Sequence, residues 1–509
     1  MTTMTTGSDT LTRDALAVLQ PGFVGTTAPD WLLRRIDEGL ASVGLFGRNI
    51  VSAPQVAALT AQLRGVRDDL LVAIDEEGGD VTRIEVRTGS SFPGNLALGA
   101  VDDLDLTREV ARELGRRLAE CGVNLNWAPS ADVNSNPDNP IIGVRAFGAD
   151  TELVARHTAA YIEGLQASGV AACTKHFPGH GDTNVDSHHA MPRIDVDLDT
   201  LHARELVPFR AAIAAGSKSV MSAHILLPAL DPARPATLSP RILTGLLREE
   251  LGYDGLIVSD AVEMQAIAGT VGIERGSVLA IAAGADALCV GGGLSDEGTV
   301  LRLRDALVAA VRDGELAEER LADAAARVRA LAAWAQRARG DVTAPGAAVQ
   351  EGTAPGTGTG VSGDIGLVAA RRAAKVTASP SWRPLEQAPY VATFTPVMNI
   401  AVSSETPWSI GAELDGLLPG TESGTFGTDA GAADVLAAAG ERRIVAVVRD
   451  EHRHPWMAAA LDALLAARPD TVVVEMGVPR ATPRGALHIA THGAARVCGR
   501  AAAEAIAGV

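Results

Sequence analysis

The feature that most constrains this chain is an alternation repeated across its first two thirds. Eight short runs rich in Val, Leu and Ile occur in order: "GFVG" (22–25), "VGLFG" (43–47), "LLVAID" (70–75), "VNLNWA" (123–128), "VAACTK" (170–175), "SVMSAH" (219–224), "GLIVSD" (255–260) and "DALCVGG" (286–292). Between them lie longer segments with helical spacing. In "PDWLLRRIDEGLASV" (29–43), Trp31, Leu32, Ile36 and Leu40 fall near one face after an initial Pro. The segment "DLDLTREVARELGRRLAEC" (103–121) reads the same way. Strands separated by helices pair in parallel through crossovers. Eight such units over roughly 300 residues predict a closed (β/α)8 TIM-like barrel. An open doubly wound sheet is the competing arrangement.

The helix "AEERLADAAARVRALAAWAQRARG" (317–340) closes this region, which is expected to form a catalytic barrel over 1–339. Residues 340–364 are rich in Gly, Pro, Thr and Ala without a hydrophobic period and read as a linker. The α/β pattern then resumes more weakly over 365–509, in "RRIVAVVRD" (442–450), "HPWMAAALDALLAARP" (454–469), "DTVVVEMGV" (470–478), "ALHIAT" (486–491) and "GRAAAEAIAG" (499–508). A smaller α/β sandwich domain of undefined role is expected there.

Composition narrows the class of partner. The net charge of −18 argues against nucleic acid and against an anionic membrane surface, both of which require a basic face. No apolar run approaches the ~20 residues that span a bilayer, and the N-terminus carries no basic signal-like region. A cytoplasmic location is the expectation. The cysteines Cys121, Cys173, Cys289 and Cys498 are far apart and form no CxxC pair, so they read as reduced core thiols.

The chemistry is concentrated at the ends of the apolar runs, where Asp75, Lys175, His224 and Asp260 stand. In a barrel these ends share one mouth. The stretch "KHFPGHGDTNVDSHH" (175–189) is the densest: it holds four of eleven histidines and one of three lysines. Gly179 and Gly181 permit a tight turn. Asp186 lies two residues from His188, and such a carboxylate can orient an imidazole and raise its basicity for proton transfer. A competing reading makes His176, His180, His188 and Asp182 metal ligands. Metal-dependent barrels of that kind place an HxH at the first strand, and "PGFVGTTAPD" contains no His. In "IVSDAVEM" (257–264), Asp260 ends the seventh run. A carboxylate there can attack an anomeric carbon or simply cap the next helix. Glu263 and Met264 read as residues of that helix.

Taken together, "AIDEEGGDVTRI", "NLNWAPSADVNSNPDNPIIGVRAFG", "KHFPGHGDTNVDSHH" and "SDAVEM" resemble glycoside hydrolase family 3, specifically its bacterial β-N-acetylglucosaminidase (β-N-acetylhexosaminidase) branch of the peptidoglycan-recycling type. The resemblance covers about residues 15–335. It implies a barrel followed by an α/β sandwich, no cofactor and no metal. It also implies roles: Asp260 as nucleophile, His188 as general acid/base, and Asp186 as its orienting partner. Lys175, His176, Asp75, Arg83 and Arg145 match residues that hold the sugar. The chain departs from common forms of the motifs at Ala261, where many relatives carry Asp, and at Glu76, where many carry Gln.

The implied reaction is retaining cleavage of terminal β-linked N-acetylglucosamine through a glycosyl-Asp intermediate. Muropeptide and chitobiose fragments are the implied substrates. The acceptor is open at this point. A His left neutral after donating its proton would tolerate a phosphate dianion where a carboxylate would repel it. A phosphorylase, or an enzyme that also accepts β-glucosides, therefore stands beside the hydrolase, with a metal-dependent barrel hydrolase as the more distant alternative.

Overall fold

The computed structural model describes residues 3–183, 191–291, 293–343, 364–396, 402–403 and 405–509. These residues fall into two compact units. The first comprises residues 1–76, 107–140 and 149–360; the second comprises 77–106, 141–148 and 361–509. The division is not the contiguous one expected from sequence. Two excursions, leaving the first sheet after its third and fourth strands, group with the C-terminal residues.

The first unit holds eight strands: β1 (Leu19–Pro21), β2 (Ser42–Leu45), β3 (Leu71–Ile74), β4 (Leu125–Asn126), β5 (Ala171–Phe177), β6 (Ser219–Ser222), β7 (Leu256–Ser259) and β8 (Ala287–Val290). Every recorded pairing is parallel, in the order β1-β8-β7-β6-β5-β4-β3-β2. Pairing of the first strand with the last rolls the sheet into a near-closed barrel, so the open doubly wound alternative is set aside. Across the β1–β2 seam, Ser42 Oγ donates to the Leu19 carbonyl at 3.2 Å. All strand residues are buried, which explains the continuous apolar runs where a one-sided sheet would alternate.

The surrounding helices begin where short polar residues can cap them. Ser52 Oγ accepts from Gln55 N ahead of the helix Ala53–Arg64, and Asp150 accepts from Leu153 N ahead of Thr151–Ala167. Two expectations are corrected. The first strand is Leu19–Pro21, not "GFVG", because it is Leu19, Gln20 and Pro21 that stand in register with Leu288, Cys289 and Val290. Glu263 lies outside the short helix Gln265–Ala268, and its Oε1 accepts from Gly291 N at 2.8 Å.

The second unit is a six-stranded sheet of order β11-β10-β12-β13-β14-β9. Its strands are β9 (Lys375–Ala378), β10 (Tyr390–Phe394), β11 (Glu422–Phe426), β12 (Ile444–Val448), β13 (Val472–Glu475) and β14 (Leu487–Ala490). All pair in parallel except β9, which is antiparallel to β14. Val445 and Val447 join one core cluster with Ile506, while Ala446 and Val448 join another with Leu461. This period-two division puts helices on both faces. All four cysteines are buried. Among the described residues, no helix is long and apolar enough to cross a membrane.

Candidate active site

The carboxyl ends of the barrel strands gather charge that the strand interiors exclude. Asp75 follows β3, and Lys175 lies within β5 and is 2% exposed. Lys175 Nζ donates to Asp75 Oδ1 at 2.6 Å. Asp260 follows β7; its backbone N–H donates to the Ser222 carbonyl, and its Oδ1 accepts from Ala261 N at 2.8 Å. It caps no helix, since the next one starts at Gln265 behind Met264. These three charges share one neighbourhood. The Cys173 thiol on β5 is pushed up to about 12 by burial, with Asp75 and Asp260 raising it and Lys175 opposing them.

His176 is held by a carboxylate that sequence reasoning did not single out. Asp132 is fully buried. Its Oδ2 lies 2.7 Å from His176 Nδ1 and accepts from Ser130 Oγ at 2.8 Å. Its Oδ1 accepts from the backbone N–H of His180 at 2.7 Å and of His176 at 3.3 Å. Burial alone would push the Asp132 carboxyl up, but the His176 ring and these N–H groups hold it well below the usual carboxylate range. The residue sits inside "NLNWAPSADVN", and only its burial beside a polar turn marks it as special.

The turn after β5 brings His180 against His176, with ring centroids 5.9 Å apart in an edge-on arrangement. Burial, then the neighbouring His176, lowers the His180 ring to about 4, so it is neutral at pH 7. Gly181 is there because nothing larger fits: a Cβ would lie 1.7 Å from the Val133 carbonyl oxygen. Asp182 is anchored by Arg204 Nη2 at 2.6 Å, and Arg204 Nε also donates to Glu205 Oε1 at 2.6 Å. Burial raises the Glu205 carboxyl to about 7 despite that cation. His224, beyond β6, stands at a strand end as the sequence indicated. Its ring bridges Thr237 Oγ1 at 2.8 Å and the carbonyl of Ala261 at 2.9 Å, fixing the backbone beside Asp260.

The structure therefore brings together Asp75, Lys175, His176 and Asp260. Asp186 and His188 lie outside the described residues. Arg83 and Arg145 belong to the second unit. There Arg145 forms a fork to Glu77, with Nε–Oε2 at 3.0 Å and Nη2–Oε1 at 2.7 Å, both side chains under a tenth exposed. Arg83 is likewise buried. Among the described residues, no group of three His, Cys, Asp or Glu side chains is arranged to hold a metal ion.

Residues 30–331 match the model of the glycosyl hydrolase family 3 N-terminal domain. The chain is 37% identical over 325 residues to beta-hexosaminidase A of Pseudoalteromonas piscicida, covering 59% of this chain and 54% of that protein's length. It is 34% identical over 334 residues to a beta-N-acetylglucosaminidase/beta-glucosidase of Cellulomonas fimi, covering 64% of this chain and 58% of that protein. The chain thus spans little more than half the length of these two relatives. The structure of a family 3 beta-N-acetylglucosaminidase from Paenibacillus sp. FPU-7 superposes with a TM-score of 0.84 at 36% identity, covering 98% of this chain and 96% of that one.

Proposed function

The chain belongs to glycosyl hydrolase family 3, and from that premise we propose that it is a retaining exo-β-N-acetylglucosaminidase. In this reading Asp260 attacks the anomeric carbon of a terminal β-linked N-acetylglucosamine while His188, oriented by Asp186, protonates the departing oxygen. The covalent glycosyl-Asp260 is then released by water, which gives a proton to His188. Asp75, Lys175 and His176 hold the sugar, with Arg83 and Arg145 as further hydroxyl ligands. Short muropeptide or chitobiose fragments are the proposed substrates.

The observation that carries the reading is the convergence of Asp260 with the Lys175–Asp75 pair at one end of the barrel. A compact ammonium and a carboxylate locked together suit neutral hydroxyl recognition, because each offsets the other's charge without a charged substrate. Similarity to the named hexosaminidases supports the N-acetyl specificity. A second reading, in which β-glucosides are also cleaved, is supported by the similarity to the Cellulomonas fimi protein.

The test is turnover of p-nitrophenyl β-N-acetylglucosaminide and of the matching glucoside, without phosphate and with it added, with products identified. Free N-acetylglucosamine at equal rates in both buffers supports the hydrolase. A large phosphate-dependent rise with sugar 1-phosphate as product replaces it with a phosphorylase on the same residues. Absence of turnover on either sugar contradicts both.

A further inference from the structure

The chain leaves the turn after β5 through Asp182, and one guanidinium holds it there. Asp182 Oδ2 accepts from Arg204 Nη2 at 2.6 Å, while Arg204 Nε donates to Glu205 Oε1 at 2.6 Å. Among the described residues, Arg204 is the one cation paired with Asp182. Arg204 thus clamps the exit of the turn to a buried carboxyl, using the several donors that a planar fork provides.

The platform behind the clamp is firmly packed. Arg204 and Glu205 end a π-helical turn, Leu201–Glu205, that opens the helix Leu206–Ala214. Such turns are rare and recur at functional sites. Leu201, Leu206 and Phe209 are fully buried. Phe209 meets Phe177, the last residue of β5, edge-on with ring centroids 5.2 Å apart. On the other side, Asn139 Nδ2 donates to the carbonyls of His180 and Gly181 at 2.9 and 3.0 Å. The chain is caught again beyond β6, where Leu226 N donates to the Pro192 carbonyl at 2.9 Å and Ile194 N donates to the Leu226 carbonyl at 3.0 Å.

Asp186 stands four residues after Asp182, and His188 six. Four residues reach at most about 14 Å, so the place of Asp182 bounds the place of Asp186. A general acid must come within about 3 Å of the oxygen it protonates, and a shift of about 1 Å is costly. We propose that Arg204 is a positioning residue for proton donation to the departing oxygen: by clamping Asp182 to Glu205, it fixes the point from which Asp186 and His188 are presented. This inference rests on the reading of His188 as the acid.

The clamp can be removed without stranding a charge. Burial already raises the Glu205 carboxyl to about 7, and Arg204 is what opposes the rise, so Glu205 stays neutral in Arg204→Gln. The test uses leaving-group dependence. Dinitrophenolate departs without a proton, whereas a sugar hydroxyl needs one, and kcat/KM covers only the steps up to the glycosyl-enzyme. We would measure kcat/KM of the full chain on chitobiose and on 2,4-dinitrophenyl β-N-acetylglucosaminide, in the parent, Arg204→Gln, Arg204→Lys, Asp182→Asn and, as reference, His188→Ala. The ratio of chitobiose to dinitrophenyl kcat/KM should fall at least tenfold in Arg204→Gln, in the same direction as in His188→Ala. Arg204→Lys should recover part of it, since an ammonium keeps the charge without the fork. Asp182→Asn weakens the same contact from the other side and keeps the test usable if Arg204→Gln fails to fold. A merely disturbed sugar site lowers both values together and leaves the ratio unchanged. An unchanged ratio in the clamp variants, with a lowered one in His188→Ala, would overturn this inference alone. An unchanged ratio in His188→Ala would overturn the reading of His188 and this inference with it.

Discussion

Asp132 shows how a residue with no obvious chemistry can govern one that has it. Three of its hydrogen bonds fix the His176 ring and the backbone of both His176 and His180, and a fourth comes from Ser130 Oγ. Asp132→Asn keeps the shape but removes the charge and one acceptor. If His176 holds sugar as proposed, kcat/KM should fall about 10- to 100-fold, chiefly through KM, because misplacement of about 1 Å is costly. Steady-state kinetics check this; a fall confined to kcat would mean that His176 does more than hold substrate. The His176 motif was legible in the sequence because four histidines and two glycines crowd one stretch. Asp132 was not, because its role comes from a contact 44 residues away.

The turn that follows β5 sets the scale of the element. Gly181 packs against the Val133 carbonyl with no space for a methyl group. Gly181→Ala should therefore destabilise the chain by about 1–3 kcal/mol, as overpacking does, and lower activity by displacing the turn. Urea unfolding with parallel assays measures both. Glu205 packs beneath the same turn, where a Cβ on Gly179 would meet it. Its folded-state value of about 7 lies above the ordinary carboxylate value. The folded chain thus holds a proton that the unfolded chain releases. That contribution is fully present below about pH 4.3 and is lost as pH rises through about 7. Glu205→Gln should remove it, so the stability difference between variant and parent should grow in the variant's favour between pH 5 and 8. A difference that stays flat with pH would contradict this ionisation.

Element recognition followed burial. The eight barrel strands were legible because burial on both faces demands unbroken apolar runs. Strands β9 and β11 left no such trace: all of β9 and most of β11 are exposed at the sheet edges, as Lys375, Thr377, Glu422 and Ser423 illustrate. The first strand was displaced in the reading because "LQP" has no β-branched residue and only its partner β8 defines it.

For the whole molecule, the division into units shows that the C-terminal residues group with two segments from far earlier in the chain. Asp80 pairs with Arg449, 369 residues away, and accepts from the Ala494 N–H at 2.7 Å. Both charged side chains are under a tenth exposed. The segment 77–106 that carries Glu77, Asp80 and Arg83 is thus built into the C-terminal unit, as is Arg145 through its fork to Glu77. No local pattern could reveal this, since the partners meet only in the folded chain. Arg449→Met strands Asp80 without its cation and should cost about 3–5 kcal/mol. Urea unfolding measures that loss. An unchanged unfolding midpoint would contradict the weight given to this pair.

If Asp260 is the group that bonds to sugar, Asp260→Asn removes the nucleophile while keeping its shape. Turnover of p-nitrophenyl β-N-acetylglucosaminide by the full chain should fall at least about 1,000-fold, equivalent to about 4 kcal/mol of barrel-mouth chemistry, with the melting temperature preserved. Turnover near that of the parent would show that Asp260 is not the nucleophile.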